Sequence, residues 1–598
     1  MKNLLSVFTL FCLMAYLETN AQVYVQEATD GSVTITPKGV RGKNGNPGNN
    51  DTNTSLGAQS LKSTTGSQNV AIGLSALFDN TSGSRNTAVG SQAVTNNSTG
   101  QGNTGIGYNS LLNNTTASGN VGVGEYSLYN NTTASGNIGI GQYSAYTNTT
   151  GANNVSIGDY SLYINNGGKE NTAVGSRSLY NNTGDYNTAV GSRALSSSSG
   201  GAANVAIGYR TMYATTSGIN NTASGYQAMD DNTTGNHNVA IGQGTLGSNT
   251  QRSFNTAVGS NALGIAYSGA GNQDGHNTAV GYAALRGSGT AANNSGTYNT
   301  AIGSNAMINT TSGDNNVAVG SQTLYLNTSG QNNVAIGYQS QYSPSIAINN
   351  VSVGTSTLYS LTFGASNTAI GHNALQGVTS GNSNTALGSF AGGSIAGGSQ
   401  NVVIGNSAGQ SISSGSENII IGASGNVSSG TNNILIGVGA SVPNLSTTNN
   451  QIRLGNASIT YAGIQVAWDV TSDRRWKEQI QPLPLGIEFI KSLKPVQYVR
   501  KNDATKSVEM GLIAQDLEKT LVDFRKDNLG LLKKDVDGYF TVRYNDLMAP
   551  MIKAMQEQQA MIEKLMKENQ TLMAEVREIK NTLVANAGEV KTVSESKK

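Results

Sequence analysis

Asn86-Thr-Ala-Val-Gly90 is followed seventeen residues later by Asn103-Thr-Gly-Ile-Gly107, and again by Asn120-Val-Gly-Val-Gly124. The signature Asn-x-Ala-[Val/Ile]-Gly begins at Asn69 and recurs to Asn450 in 23 copies, some degenerate, and 18 of the 22 intervals are 17 residues long. A period this regular describes a stack of similar coils, each touching only its neighbours, rather than a globular enzyme. Within one signature Thr87 and Val89 are expected on one face of a strand of four to five residues and Ala88 on the other. A second short strand, Ser91-Gln-Ala-Val94 or Ser176-Arg-Ser-Leu179, then follows, and an Asn-Asn-Thr-Thr-Gly type turn closes the coil. Stacked copies would pair in parallel, with Val89 and Val94 as the aliphatic filling. So thin a core offers little to offset chain ordering, which points to side-by-side association of several chains. Two 22-residue intervals, Asn255 to Asn277 and Asn277 to Asn299, read as loops inserted at one turn (264–275 and 286–295).

The composition agrees with a turn-rich polar array: 75 Gly, 12% charged residues and a net charge of +1. That balance gives no reason to expect nucleic acid as a partner. Charge is concentrated at the end, with 41 of the 69 charged residues in the last 127, which sets a domain boundary near Trp468 to Ser472. The start reads as a signal peptide (1–21): Lys2, an apolar run from Leu4 to Leu17, then Thr19-Asn20-Ala21 at the cleavage positions. The apolar run is short for a membrane span, and Cys12, the only cysteine, would leave with it. The expected destination is the outside of a bacterial cell or its surface, with no direct membrane span after signal removal. Residues 22–68 form an N-terminal strand and neck region, with Gly39, Gly42, Gly45 and Gly48 at every third position.

The Asn-x-Ala-Ile-Gly coils, over about 69 to 455, resemble the head repeats of trimeric autotransporter adhesins. The resemblance implies a left-handed parallel β-roll packed as a homotrimer. The usual coil of that family is shorter than 17 residues, and the chain lacks the family's C-terminal β-barrel anchor.

Beyond the boundary the pattern turns helical. Met548, Met551, Met555, Gln558, Ile562, Leu565, Asn569, Leu572, Val576, Ile579 and Leu583 keep a 3-4 spacing over five heptads, which predicts a coiled coil over 547–585 followed by a frayed tail, 586–598. The mainly β chain is thus expected to end in a small α/β domain (468–546) and an α-helical coiled coil, after β-roll repeats over 69–467. Ser472-Asp-Arg-Arg-Trp-Lys477 resembles the junction motif of the intramolecular chaperone, auto-processing domains of endosialidase and other phage tail spikes, a domain also found in the self-cleaving myelin regulatory factor. Leu493-Lys-Pro495-Val-Gln-Tyr498, Gly511-Leu-Ile-Ala-Gln515 and Val542-Arg-Tyr544 follow in the family's order. The resemblance implies that this domain trimerises, templates the repeats and then cuts the Thr471-Ser472 bond, with Ser472 as nucleophile and Lys477 as general base. A lysine base must be largely neutral, which requires desolvation or nearby positive charge; Arg474, Arg475 and Trp476 are the adjacent candidates. All three histidines (His237, His276, His372) lie in the repeats, consistent with a Ser-Lys pair. The plainer alternative makes Ser472 the cap of a helix starting at Asp473, with Lys477 a solvated side chain.

Tyr126, Tyr143 and Tyr160, like Tyr129, Tyr146, Tyr163 and Tyr180, recur at the coil period and should form ladders, either gripping an extracellular or cell-surface glycan or stabilising the coils by stacking on one another. No Gly-Gly-x-Gly-x-Asp calcium repeat, metal-ligand spacing or nucleotide loop is present, so no metal and no cofactor is expected. A glycan-degrading tail spike would need recurring paired carboxylates, which the repeats lack. A membrane-tethered transcription factor fits neither the leader nor the repeats.

Overall fold

The computed structural model describes residues 52 to 595 apart from 63, 267–273, 290, 443–447, 457, 460–461, 464, 466–468, 502–504, 527–528 and 535–537, with side chains to 587. The expected signal peptide and the Gly-x-y segment lie outside the described residues. The chain divides into two compact units, the first ending at Ser329 and the second beginning at Gly330.

In the first unit, three-residue strands from Thr54–Leu56 to Val317–Val319 follow one another. Each but the last pairs in parallel with the strand of the next coil, so that Ala88 faces Gly105 and Ala206 faces Ala223. The second unit begins with eight such strands, from Val334–Ile336 to Ile452–Leu454. The coils are therefore a β-solenoid. The 22-residue intervals keep register, Thr256 opposite Thr278 and Thr278 opposite Thr300, so their extra residues do not interrupt the strand pairing.

Three details of the coil differ from the sequence expectation. The strand is three residues long. The second segment is not a strand but a tight turn in which Gln92 and Val94 take φ of 57° and 53°. That conformation is costly for a β-branched residue. It persists because it aims amide groups both ways along the stack: Gln92 N–H donates to Leu74 O (2.8 Å) in the preceding coil and Val94 N–H to Ser110 O (2.8 Å) in the next. Finally, the inside and outside of the strand are exchanged. Ala88 is fully buried with Ala93 and Val94, whereas Val89 is only half-buried and its equivalents Ile106 and Ile207 are 39% and 45% exposed. The coil is too narrow for a branched residue beside the Val94 or Leu111 side chain, since even a Cβ on Gly122 would lie 3.2 Å from Leu111 Cγ. The Val/Ile positions therefore line the outer face of the sheet.

Polar side chains supply much of the interior. Asn86 is fully buried; its Oδ1 accepts from Asn103 N–H (2.9 Å) and its Nδ2 donates to Gly100 O (2.9 Å). A second row links Asn97, Asn114, Asn131 and Asn148, each Nδ2 donating to the Oδ1 of the row's previous asparagine at 2.7–3.1 Å. Amide ladders of this kind satisfy most buried polar groups along the stack; Asn249, in the second row, is an exception whose Oδ1 has no partner among the described residues. Asn114, the first residue of the Asn-Thr-Thr triplet, is one of these buried rungs, so its amide faces inward rather than toward a modifying enzyme.

The interior changes along the second unit. The turn position of the second asparagine row is taken by Leu361, Val378, Ile395 and Ile412, all fully buried, while the first row continues through Asn350, Asn367 and Asn384. The inward alanine becomes Val403 and then Ile420, and the facing Leu shrinks to Gly409 and Gly425, a volume-conserving exchange. The last strand puts half-exposed Arg453 opposite Leu435 and closes the apolar interior with a polar end.

After the coils come helix α1 (Ile487–Ser492), an antiparallel pair Pro495–Val499 and Val508–Leu512, helix α2 (Ala514–Asp523), a hairpin Leu532–Lys534 with Phe540–Val542, and helix α3 (Met548–Glu595). Helix α3 continues past Ala585, where the heptad pattern ends. Leu485, Phe489, Leu517, Leu521, Leu531 and Leu547 form the small core of this region, with Phe489 edge-on to Phe524 at 5.6 Å.

Candidate catalytic dyad and its supporting domain

The segment Ser472 to Lys477 is built around one 3-10 turn, Arg474–Trp476. Asp473, not Ser472, is its cap: the Asp473 carboxylate accepts from Arg475 N–H at 2.8 Å and from the Arg475 guanidinium at 2.7 Å. The guanidinium and then the backbone bond hold the Asp473 carboxyl below the usual carboxylate range. Since Asp473 fills the cap position, Ser472 is free for another partner. Lys477 leaves the turn in an extended conformation, with φ −123° and ψ 133°, and its Nζ comes back to 2.5 Å from Ser472 Oγ. The two residues singled out from the motif are thus brought together.

The same geometry shows what surrounds the lysine. Arg475 is engaged by Asp473, so its charge is neutralised locally. Lys477 is exposed, and Trp476 beside it is 81% exposed. Burial of the dyad would have to come from a surface that covers Trp476 and Ile480, which is 55% exposed.

Two further contacts join the small domain together, and residue spacing alone did not reveal either. Leu512 N–H donates to Tyr544 Oη at 2.8 Å, and a Cβ on Gly511 would fall 2.6 Å from that oxygen. Gly511 is therefore glycine because the phenol crosses its backbone. Glu557, on the first turns of α3, accepts from Ile487 N–H (2.7 Å) at the start of α1 and pairs with Lys553 at 3.1 Å. That backbone bond, followed by Lys553, holds the Glu557 carboxyl below its ordinary value. α3 is thereby pinned to the small core at its N-terminal end, while Met555, Leu565, Leu572, Val576, Ile579 and Leu583 stand open to solvent along its length.

Residues 472–525 match the family described as chaperone of endosialidase. The match starts at the dyad serine and ends just after α2. The family is one of self-cleaving peptidase domains, and its chaperone domains are trimeric. The chain is therefore a β-solenoid followed by a region of which residues 472–525 are similar to that family. No curated protein and no solved structure matches the chain. Among the described residues no helix is long and apolar enough to cross a membrane.

Proposed function

We propose that this protein is an exported, trimeric fibre for surface contact or adhesion, whose chaperone region aligns three chains and then releases itself by one cut at Thr471-Ser472. The observation that carries the cut is the 2.5 Å approach of Lys477 Nζ to Ser472 Oγ in a turn capped by a different residue. Neutral Lys477 takes the Ser472 hydroxyl proton while Oγ attacks the Thr471 carbonyl carbon. The Thr471–Ser472 C–N bond breaks in an N-to-O acyl shift, Lys477 passes the proton to the freed Ser472 amine, and water then hydrolyses the ester between Thr471 and Ser472 Oγ, which restores the hydroxyl and separates the two fragments. The exposed Trp476 and Ile480, together with the apolar stripe of α3, supply the surface through which three chains would close over the dyad and desolvate Lys477.

Templating has a physical basis in the repeats. Coils with the same Asn, Ala and Gly positions accept one another in any register shifted by one period, so misaligned trimers differ little in energy from the aligned one. Fixing the three chains at one end removes that degeneracy, and cutting afterwards leaves a product held by a kinetic barrier. The outward Val/Ile face supplies apolar surface for the association.

The test is expression of the wild type beside Ser472→Ala and Lys477→Ala, read by intact mass. The wild type should yield a stalk ending at Thr471 and a 127-residue fragment, residues 472–598; both variants should stay whole. A folded, trimeric but uncut wild type would remove the peptidase and leave the chaperone.

A further inference from the structure

The coil that starts at Asn187 carries an interruption in an otherwise continuous surface pattern. Tyr126, Tyr143, Tyr160, Arg177, Arg193 and Arg210 occupy one position of successive coils, all with φ between 54° and 59°. The neighbouring row runs Tyr129, Tyr146, Tyr163, Tyr180, then Ser196, then Tyr213. Within the lower coils the rings lie face to face: 5.1 Å and 5° for Tyr126–Tyr143, 5.1 Å and 10° for Tyr163–Tyr180. Their faces are used by one another, so only ring edges reach solvent and the ladder itself offers no flat platform to a sugar. At Ser196 the stack stops. Tyr180 has a ring below it and only a serine above, and Ser192 on the other flank of Arg193 is equally small. Tyr213 resumes the row two coils on, about 10 Å away at one strand spacing per coil.

The charges at this interruption are unevenly matched. Arg210 is paired with Asp230 at 2.9 Å and lies over the Tyr213 ring. Arg177 stands 5.9 Å over Tyr160. For Arg193, between them and half-buried, no ion pair is found among the described residues. Asp159, the nearest acid on the Ser192 row, lies two coils below. The guanidinium groups of Arg177 and Arg193, on consecutive rungs, repel one another unless an anion joins them.

We propose that the Ser196 rung is a binding site for one residue of a carboxylated glycan, a hexuronate-type sugar. Its ring occupies the missing rung with one face on Tyr180, and its carboxylate pairs with Arg193 and Arg177. The site is independent of whether the tail cuts itself.

The test uses the full-length chain and calorimetric titration with a β-1,4-linked glucuronate oligosaccharide and, as the neutral probe, a cello-oligosaccharide of equal length. The wild type should bind the acidic probe about tenfold or more tightly than the neutral one, the scale of one charge-assisted contact. Arg193→Gln should erase that preference. Ser196→Tyr should complete the ladder, abolish binding of the acidic probe and leave the melting temperature no lower. The proposal is overturned if the wild type does not bind the acidic probe, if Arg193→Gln keeps the preference, or if a folded Ser196→Tyr protein binds as before.

Discussion

Replacing Asn131 by alanine removes one rung of the second asparagine row. Asn131 is fully buried; its Nδ2 donates to Asn114 Oδ1 (3.1 Å) and Ala134 O (2.8 Å), and its Oδ1 accepts from Asn148 Nδ2 (2.9 Å) and Asn137 Nδ2 (3.3 Å). The neighbours keep second partners: Asn148 and Asn137 still donate to Gly151 O, and Asn114 Oδ1 still accepts a long bond from Asn120. The loss is all four of these hydrogen bonds, with a stranded Ala134 carbonyl and a small cavity; because the neighbours keep their other partners, the total is about 3 kcal/mol. In a stack where each coil supports its neighbours this loss should appear locally. Amide exchange in the same coil, read at Leu128 and Asn130, and in the next, read at Ala145, should then accelerate about a hundredfold. Thr133→Ala, on an exposed side chain of the same turn, should change it by no more than about twofold. Equal, small effects of the two substitutions would refute the view that the asparagine row is structural.

Three other outcomes follow from single residues. Gly90→Ala places a Cβ 2.5 Å from Gly107 O at φ 134°, whereas Gly102→Ala (φ 64°) meets nothing within 4 Å; thermal unfolding followed by circular dichroism should show the first disrupting the stack and the second costing about 1 kcal/mol. Because the Glu557 carboxyl is held low by Ile487 N–H, its contribution is present above the ordinary glutamate range and lost as pH falls through the lowered value. The melting-temperature gap between wild type and Glu557→Gln should therefore close in acid. Burial, the first cause in each case, raises Tyr126, Tyr143, Tyr146 and Tyr163 above the usual phenol value. Ultraviolet titration should show these phenols ionising late, and stability should fall as pH rises past the ordinary tyrosine range.

The coil period, the parallel stacking, the looped 22-residue intervals and the helical C-terminal region were legible in the sequence because each rests on a repeated residue type. The side assignment of the strand was not. Hydrophobicity argued for Val89 inside, but a three-residue strand facing Val94 across a narrow coil leaves room only for Ala88, so packing volume overrode polarity. The second strand was misread because Ser91 to Val94 alternates like a strand while folding through two positive-φ residues, which Asn or Gly would normally announce. Ser472 and Lys477 were recognisable from their motif. The cap was not, because Ser and Asp are near-equal cap formers and only the backbone shows that Asp473 fills the role. Glu557 and Ile487 are 70 residues apart, beyond any local pattern.

Deletion of the tail is the most direct test of the central claim. A chain stopped at Thr471 and the full-length chain should be produced side by side and compared by sedimentation and by amide exchange across the coils. The account predicts that only the full-length chain gives one trimeric species with uniformly protected coils, and that the shortened chain gives unprotected or mixed-register material. An identical, fully protected trimer from the shortened chain would contradict it.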